Sequence, residues 1–448
     1  MSMRTASAPA RKITAAEAAA LVKSGDWLDY GACLGQPDVF DQALAARARE
    51  LTNVGIRSSL ASKPRAVLEC DPEGTHFHWL SWHFTAYERT KSDAGICHYL
   101  PPNLGEIQDY YRRFIDPIDV AVLKVRPADA NGFFNFGPTN TWHRAVVERA
   151  RVLIVETSKA VPKVCGIDNG VHIGEVDYII EGDNAPLSEL KCPPATDVDR
   201  AVARRIAAEV EDGACLQVGI GGMPNAVCSL LRESGAKDLG VHTEMLIDSL
   251  IELYHAGVVT GARKQLDPGK MVFTFAWGSQ SMYDAIDGNP DVLCCGTDYT
   301  NLPHIIMQND NVLAINNTTQ MDLQGQAASE SDGHRHLSGT GGQLQFARGA
   351  YASKGGKSFM CLSSLYEKKG MRRSRIVLDL TPGNIVTTPR TDIMYVVTEY
   401  GMVNLKGKSV PERARAMISL AHPDFREELE RQAFEHRLLP RALSMTPH

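Results

Sequence analysis

One pattern occurs twice in this chain, and it limits the folds open to it. A helix, a glycine break, a short apolar strand and a glycine-rich loop follow one another near residues 14–36, and again near 198–224. In the first copy Thr14 stands where it can cap a helix over residues 13–22, Gly25 ends that helix, and Trp27 to Tyr30 lead into a loop containing Gly31 and Gly35. In the second copy the helix spans 197–210, Gly213 ends it, and a strand over 216–219 runs into Gly219, Gly221 and Gly222. Further helix is read over 40–51. Strands are read over 54–60, 120–125, 152–156, 271–273, 312–315, 359–362, 376–378 and 394–397. Residues 411–438 form an amphipathic helical stretch broken at Pro423. Strands that alternate with helices imply βαβ units. The expected fold is therefore α/β: two related open domains with mainly parallel sheets and the active site at their interface. The Pro-containing stretch at 191–196 divides them into 1–192 and 197–448.

Bulk properties narrow the function. With 448 residues, 44% hydrophobic and 22% charged, the chain is an ordinary globular sequence long enough for two to three domains. A net charge of -6 argues against a nucleic-acid or membrane-surface role. No apolar run is long enough to span a membrane, and residues 1–12 lack the apolar core of a secretory signal. The ten cysteines include no CxxC pair, the pattern of a reduced, cytoplasmic protein. The run His76 to His83 contains HxH but no companion ligand, so no metal site is expected.

The chemistry concentrates around glycine. Gly219-Ile220-Gly221-Gly222-Met223-Pro224-Asn225 lacks the third glycine of a dinucleotide fingerprint, which argues against hydride transfer. A second loop runs through Gly339, Gly341, Gly342 and Gln343, and basic Arg348, Lys354 and Lys357 follow it. Two such loops with cations nearby point to a phosphate-bearing ligand. Two carboxylates, Glu244 and Glu399, stand at predicted strand ends, where ligands of α/β sheets gather. A carboxylate beside glycine-loop amides can be a nucleophile whose oxyanion those amides hold. Spacing alone does not choose between the two.

At these residues the chain resembles the acetyl-CoA hydrolase/transferase family, in its 4-hydroxybutyrate and butyryl-CoA:acetate CoA-transferase branch. The resemblance covers nearly the whole chain. It rests on residues 216–227, on 238–245 with His242-Thr243-Glu244, on Ala314-Ile315-Asn316, on 322–326 and 338–343, and on 397–401 and 421–426. It implies that Glu244 is the nucleophile and Glu399 a structural or pocket residue. Coenzyme A enters as a substrate, with no permanently bound cofactor. Oxyanion and CoA contacts fall to Gly219, Ile220, Gly221, Gly222, Asn225, Gly339, Gly341, Gly342 and Gln343, and the pocket to Trp82, His83, Asn316 and Glu399. It also implies a cytoplasmic homodimer that moves CoA between an acyl-CoA and a small carboxylate through a glutamyl-CoA thioester. An acyl-CoA hydrolase using the same glutamate is the alternative. The sequence departs from the family at Gln345-Phe346, where Asp-Phe is usual. Acetate, butyrate and 4-hydroxybutyrate fit the branch. A dicarboxylate such as succinate or itaconate would need an extra cation, for which Arg89, Arg112 and Arg113 are candidates.

Overall fold

The computed structural model describes residues 4–6 and 8–440. Two eight-stranded sheets form its frame. The first contains β1 (Arg11–Lys12), β2 (Trp27–Asp29), β3 (Val54–Ser58), β4 (Phe77–Ser81), β5 (Cys97–Tyr99), β6 (Val120–Val125), β7 (Val152–Thr157) and β8 (Tyr178–Glu181). Their order is β1-β8-β7-β6-β2-β3-β4-β5, and every pair is parallel. The second contains β9 (Cys215–Val218), β10 (Gly240–His242), β11 (Met271–Phe273), β12 (Val292–Cys294), β13 (Val312–Asn317), β14 (Lys357–Cys361), β15 (Tyr395–Thr398) and β16 (Gly401–Asn404). Their order is β12-β11-β10-β9-β13-β14-β15-β16, parallel except for the last pair.

The two sheets share one plan. Apart from β1, an edge strand of the first sheet, the chain in each starts at a central strand and runs outward to one edge. It then returns to the centre and fills the other side. The reversal falls between β2 and β6 in the first sheet and between β9 and β13 in the second. In open parallel sheets such a reversal leaves a crevice at the carboxyl ends of the strands, where ligands bind.

Local sequence explains the frame. The two repeated helices open with the same device, a capping box: Thr14 with Glu17, and Thr196 with Asp199. All six residues of β6 are buried, as expected for a strand covered on both faces. Its one charged member, Lys124, is an ion-pair partner of Asp38.

Several boundaries differ from expectation. The helix expected over 13–22 is α-helical only at Ala15–Ala19, and that expected over 40–51 splits into Val39–Ala45 and the 3-10 turn Ala48–Glu50. The strands β4, β5, β8, β12 and β16 went unread because they are short and mixed in polarity. β4 alternates, burying Phe77, Trp79 and Ser81 while His78 and Leu80 are only half-buried. The helical stretch over 411–438 becomes Val410–Leu420 and Pro423–Glu435, with proline near the start of each.

The halves are welded together. One apolar core runs without a break from Leu34, Trp82 and Trp142 to Phe275, Met282 and Tyr283. Backbone bridges join Thr139 to Phe275 and Thr141 to Gly296.

Candidate active site

A cavity of about 240 Å³ lies where the reversal point of the second sheet meets the first half. Gly219 and Ile220 follow β9, and Asn316 and Asn317 end β13. The first half supplies Leu60, His83 and Leu104. Of the residues lining the cavity, Glu244 is the one acid, and no lysine or arginine is among them.

Glu244 sits just beyond β10, and its backbone carbonyl accepts from Thr274 and Phe275 N–H at 3.0 and 3.3 Å. The loop after β10 is thereby tied to the loop after β11, which fixes the carboxylate's starting point. Its Oε2 accepts from Asn301 Nδ2 at 2.7 Å. Burial pushes the carboxyl up to about 7, against the opposing pull of the Asn301 side chain and the Gly342 amide. The carboxyl is thus held by two donors, and no lysine or arginine lines the cavity beside it.

The second glycine loop wraps this carboxylate. A Cβ on Gly342 would lie 2.3 Å from Glu244 Oε2 and 2.3 Å from Asn301 Nδ2, so only glycine lets the backbone come this close. The loop is pinned to the first half: Phe84 N–H donates to Ser338 O, Leu104 N–H to Gly341 O, and Thr340 N–H to Tyr99 Oη. Gln345 adds a further stitch, accepting from Gly105 N–H at 2.9 Å. The resemblance leads one to expect aspartate at this position, and here the glutamine's amide oxygen joins the halves.

His83 lines the cavity across Gly341, and burial holds its ring near a pKa of about 4, so it is neutral at physiological pH. Gln217 and Asn316 clasp one another across the reversal point, with amide-to-amide distances of 3.2 and 3.0 Å.

Gly219, Ile220, Glu244, His83, Asn316, Gly339, Gly341, Gly342 and Gln343 all converge on the cavity. Five expected residues stand elsewhere. Trp82 lies behind the wall with its indole N–H on Tyr111 Oη. Glu399 is turned toward Ser364, accepting from its N–H and hydroxyl at 3.0 and 2.7 Å. Gly221 caps and Gly222 opens the helix Gly222–Ser234, and Asn225 in its first turn accepts from Ser249 Oγ. The basic residues after the second glycine loop are self-neutralised: Arg348 pairs with Asp392, Lys354 with Asp310 and Lys357 with Glu209. Lys357 begins β14, at the end of the sheet opposite the cavity. Of the three arginines considered for a second carboxylate, Arg89 donates to Leu337 O, Arg112 pairs with Glu148 and Arg113 with Asp109; none lines the cavity. Asn301, Phe275, Trp277 and Leu104 were missed. Asn301 follows a one-turn helix before Leu302-Pro303 and reads in sequence as an ordinary turn residue.

Family models described as the acetyl-CoA hydrolase/transferase N-terminal and C-terminal domains match residues 3–190 and 278–433. The chain belongs to the acetyl-CoA hydrolase/transferase family. It is 47% identical to a butyryl-CoA:acetate CoA-transferase of Anaerostipes caccae, over 94% of this chain and 95% of that protein. It is 41% identical to a succinyl-CoA:cyclohexane-1-carboxylate CoA transferase of Geobacter metallireducens, over 93% of each. The structure of RipA from Yersinia pestis superposes with a TM-score of 0.88 at 38% identity, covering 96% of this chain and 98% of that one. Within the family this chain is a CoA-transferase, with coenzyme A as its substrate. No helix among the described residues is long and apolar enough to cross a membrane.

Proposed function

We propose that the enzyme moves coenzyme A between a short acyl-CoA and a small carboxylate by ping-pong chemistry on Glu244. A Glu244 carboxylate oxygen attacks the thioester carbonyl, the C–S bond breaks, and CoA thiolate leaves an acyl-glutamyl anhydride. The thiolate then attacks the Glu244 carbonyl carbon. The donor's carboxylate departs, and a glutamyl-CoA thioester remains. An acceptor carboxylate reverses both steps and carries the CoA away. The thioester bond energy is conserved because neither intermediate meets water.

One observation carries this reading: the lone acid of the cavity is desolvated and held by Asn301 and Gly342 rather than by a cation. Two sets of donors serve the two oxyanions. Amides of the loop at Gly219 and Ile220 face the substrate carbonyl. Gly342 N–H and Asn301 Nδ2–H face the Glu244 oxygen when the thiolate attacks. Leu60, Leu104, Met245, Phe275, Trp277 and Phe346 form the apolar wall for the acyl chain.

The domains are assigned as 1–192 and 197–448, and the protein as a cytoplasmic homodimer. The ten unpaired cysteines support a reducing compartment. The dimer rests on the family resemblance.

The test is intact mass and peptide mapping after mixing the enzyme with acetyl-, butyryl- and succinyl-CoA in the absence of acceptor. A CoA adduct on the Glu244 peptide is expected. Release of free CoA without an adduct would make the enzyme a hydrolase instead.

A further inference from the structure

His242 ends β10 two residues before Glu244, yet it does not line the cavity. It is fully buried, and its Nε2 meets the Thr300 carbonyl oxygen at 2.9 Å. Its Nδ1 has no partner among the described residues. A carbonyl only accepts, so Nε2 carries the ring's one hydrogen. A second proton would create a buried charge beside the Lys264 ammonium, and burial drives the ring down to about 3. The imidazole is therefore a neutral, single-tautomer donor at every working pH. Tyr299 flanks it at 6.5 Å between ring centres.

The carbonyl it holds belongs to the residue before Asn301. Thr300 contributes a second bond, because its hydroxyl meets Asn301 Oδ1 at 2.7 Å. An amide whose oxygen is occupied on one side must present its N–H₂ on the other, and that side faces Glu244 at 2.7 Å. Were the amide flipped, its oxygen would oppose the carboxylate, and later the oxyanion on Glu244, with a repulsive dipole.

We propose that His242 and Thr300 are positioning residues that lock the Asn301 side chain with its N–H toward Glu244. The lock rests on the reading of Glu244 as nucleophile. It explains why a histidine that never meets substrate stands beside the reactive glutamate: the strand that delivers the nucleophile also anchors the turn that delivers its donor. The titratable neighbour on the cavity side is His83, neutral as described, so the charge state of Glu244 is set chiefly by burial and these donors.

The test follows the CoA adduct on Glu244 against time, from pH 6 to pH 9, using whichever of acetyl-, butyryl- and succinyl-CoA labels the wild-type enzyme fastest. Thr300→Val keeps the side-chain shape and removes the hydroxyl. His242→Leu removes the ring donor, and His242→Gln restores an N–H. Thr300→Val and His242→Leu are expected to form adduct about tenfold more slowly. Their pH midpoint should move upward, because Glu244 loses a donor that favours its charged form, while the KM for acyl-CoA stays level. His242→Gln should recover most of the rate. Thr300→Val and His242→Leu labelling at wild-type rate with the wild-type midpoint would overturn the lock alone. No adduct on the wild-type enzyme with any donor would overturn the glutamyl reading beneath it, a distinguishable failure.

Discussion

Two loops occupy the same place in the two sheets, and one is filled while the other is open. After β2, Gly31 and Gly35 pack against the buried ring of His143; a Cβ on either would lie 2.6 or 2.7 Å from its Nε2. After β9, a Cβ on Gly219 would meet only Ile315 O at 3.6 Å, and one on Gly221 nothing within 4 Å. The first loop needs glycine because a side chain of the protein itself has moved in. The second keeps glycine in a place where a ligand has room. Each half also buries a carboxyl near its carboxyl edge, pushed up to about 7 by desolvation. Asp29 is capped by Tyr111 Oη–H and Gly31 N–H, and Glu244 opens on the cavity. The same shift therefore marks a packed structural acid in one half and the candidate nucleophile in the other. What separates them is access, and a perturbed pKa by itself identifies neither.

The largest expected effect sets the two acids against each other. Glu244→Ala should reduce transfer by at least about a thousandfold. Asp29→Asn should leave kcat within about threefold, since its amide can keep both neighbours. Steady-state assay of both variants decides this, and an inactive, folded Asp29→Asn would break the contrast.

The next contrast lies between the glycines. Gly342→Ala drives a methyl into Glu244 and Asn301, so kcat should fall about a hundredfold or more, through misplacement of about 1 Å. Gly31→Ala has φ +64 and His143 in its way. It should cost about 2–4 kcal/mol of stability while folded molecules keep their turnover. Thermal melts read beside kcat separate the two outcomes; equal loss of both in each variant would erase the distinction.

The smallest effect is on pH. The Glu244 carboxyl is raised from its ordinary 4.5 to about 7 in the folded state. Its contribution to stability is therefore fully present below about 4.5 and lost as pH rises through about 7, because the folded state must then hold a desolvated charge. Activity runs the other way: kcat/KM should climb with pH and level off above about 7, as the nucleophile deprotonates. Glu244→Gln should accordingly melt higher than wild type at pH 8, by roughly 1–3 kcal/mol, with the gap narrowing at pH 5. A gap that does not change with pH would assign the gain to something other than the Glu244 charge.

Much of the frame is legible along the chain. The two capped helices, the apolar strands β6, β9 and β13, and the glycine loops announce a duplicated α/β plan, because each depends on neighbours within a few residues. The short strands β5 and β12 do not announce themselves, since their stability comes from the strands beside them. The site divides in the same way. Glu244 and the glycines at 219 and 339–342 are visible as motifs. Asn301 is invisible, because it becomes a donor only when the turn after Thr297–Thr300 is folded against β10. Glu399 looks as eligible as Glu244 in sequence, and is excluded from the cavity by its two bonds to Ser364.

The sequence alone determined the periodicities, the caps and the glycines that permit close backbone approach, all consequences of local sterics and hydrogen bonding. Only the tertiary structure decided which of two matching loops has open space beside it and which of two glutamates lines the cavity. It also decided which asparagine turns its amide to Glu244. Those outcomes depend on side chains tens to hundreds of residues apart meeting at a reversal of strand order, and no local pattern encodes that meeting.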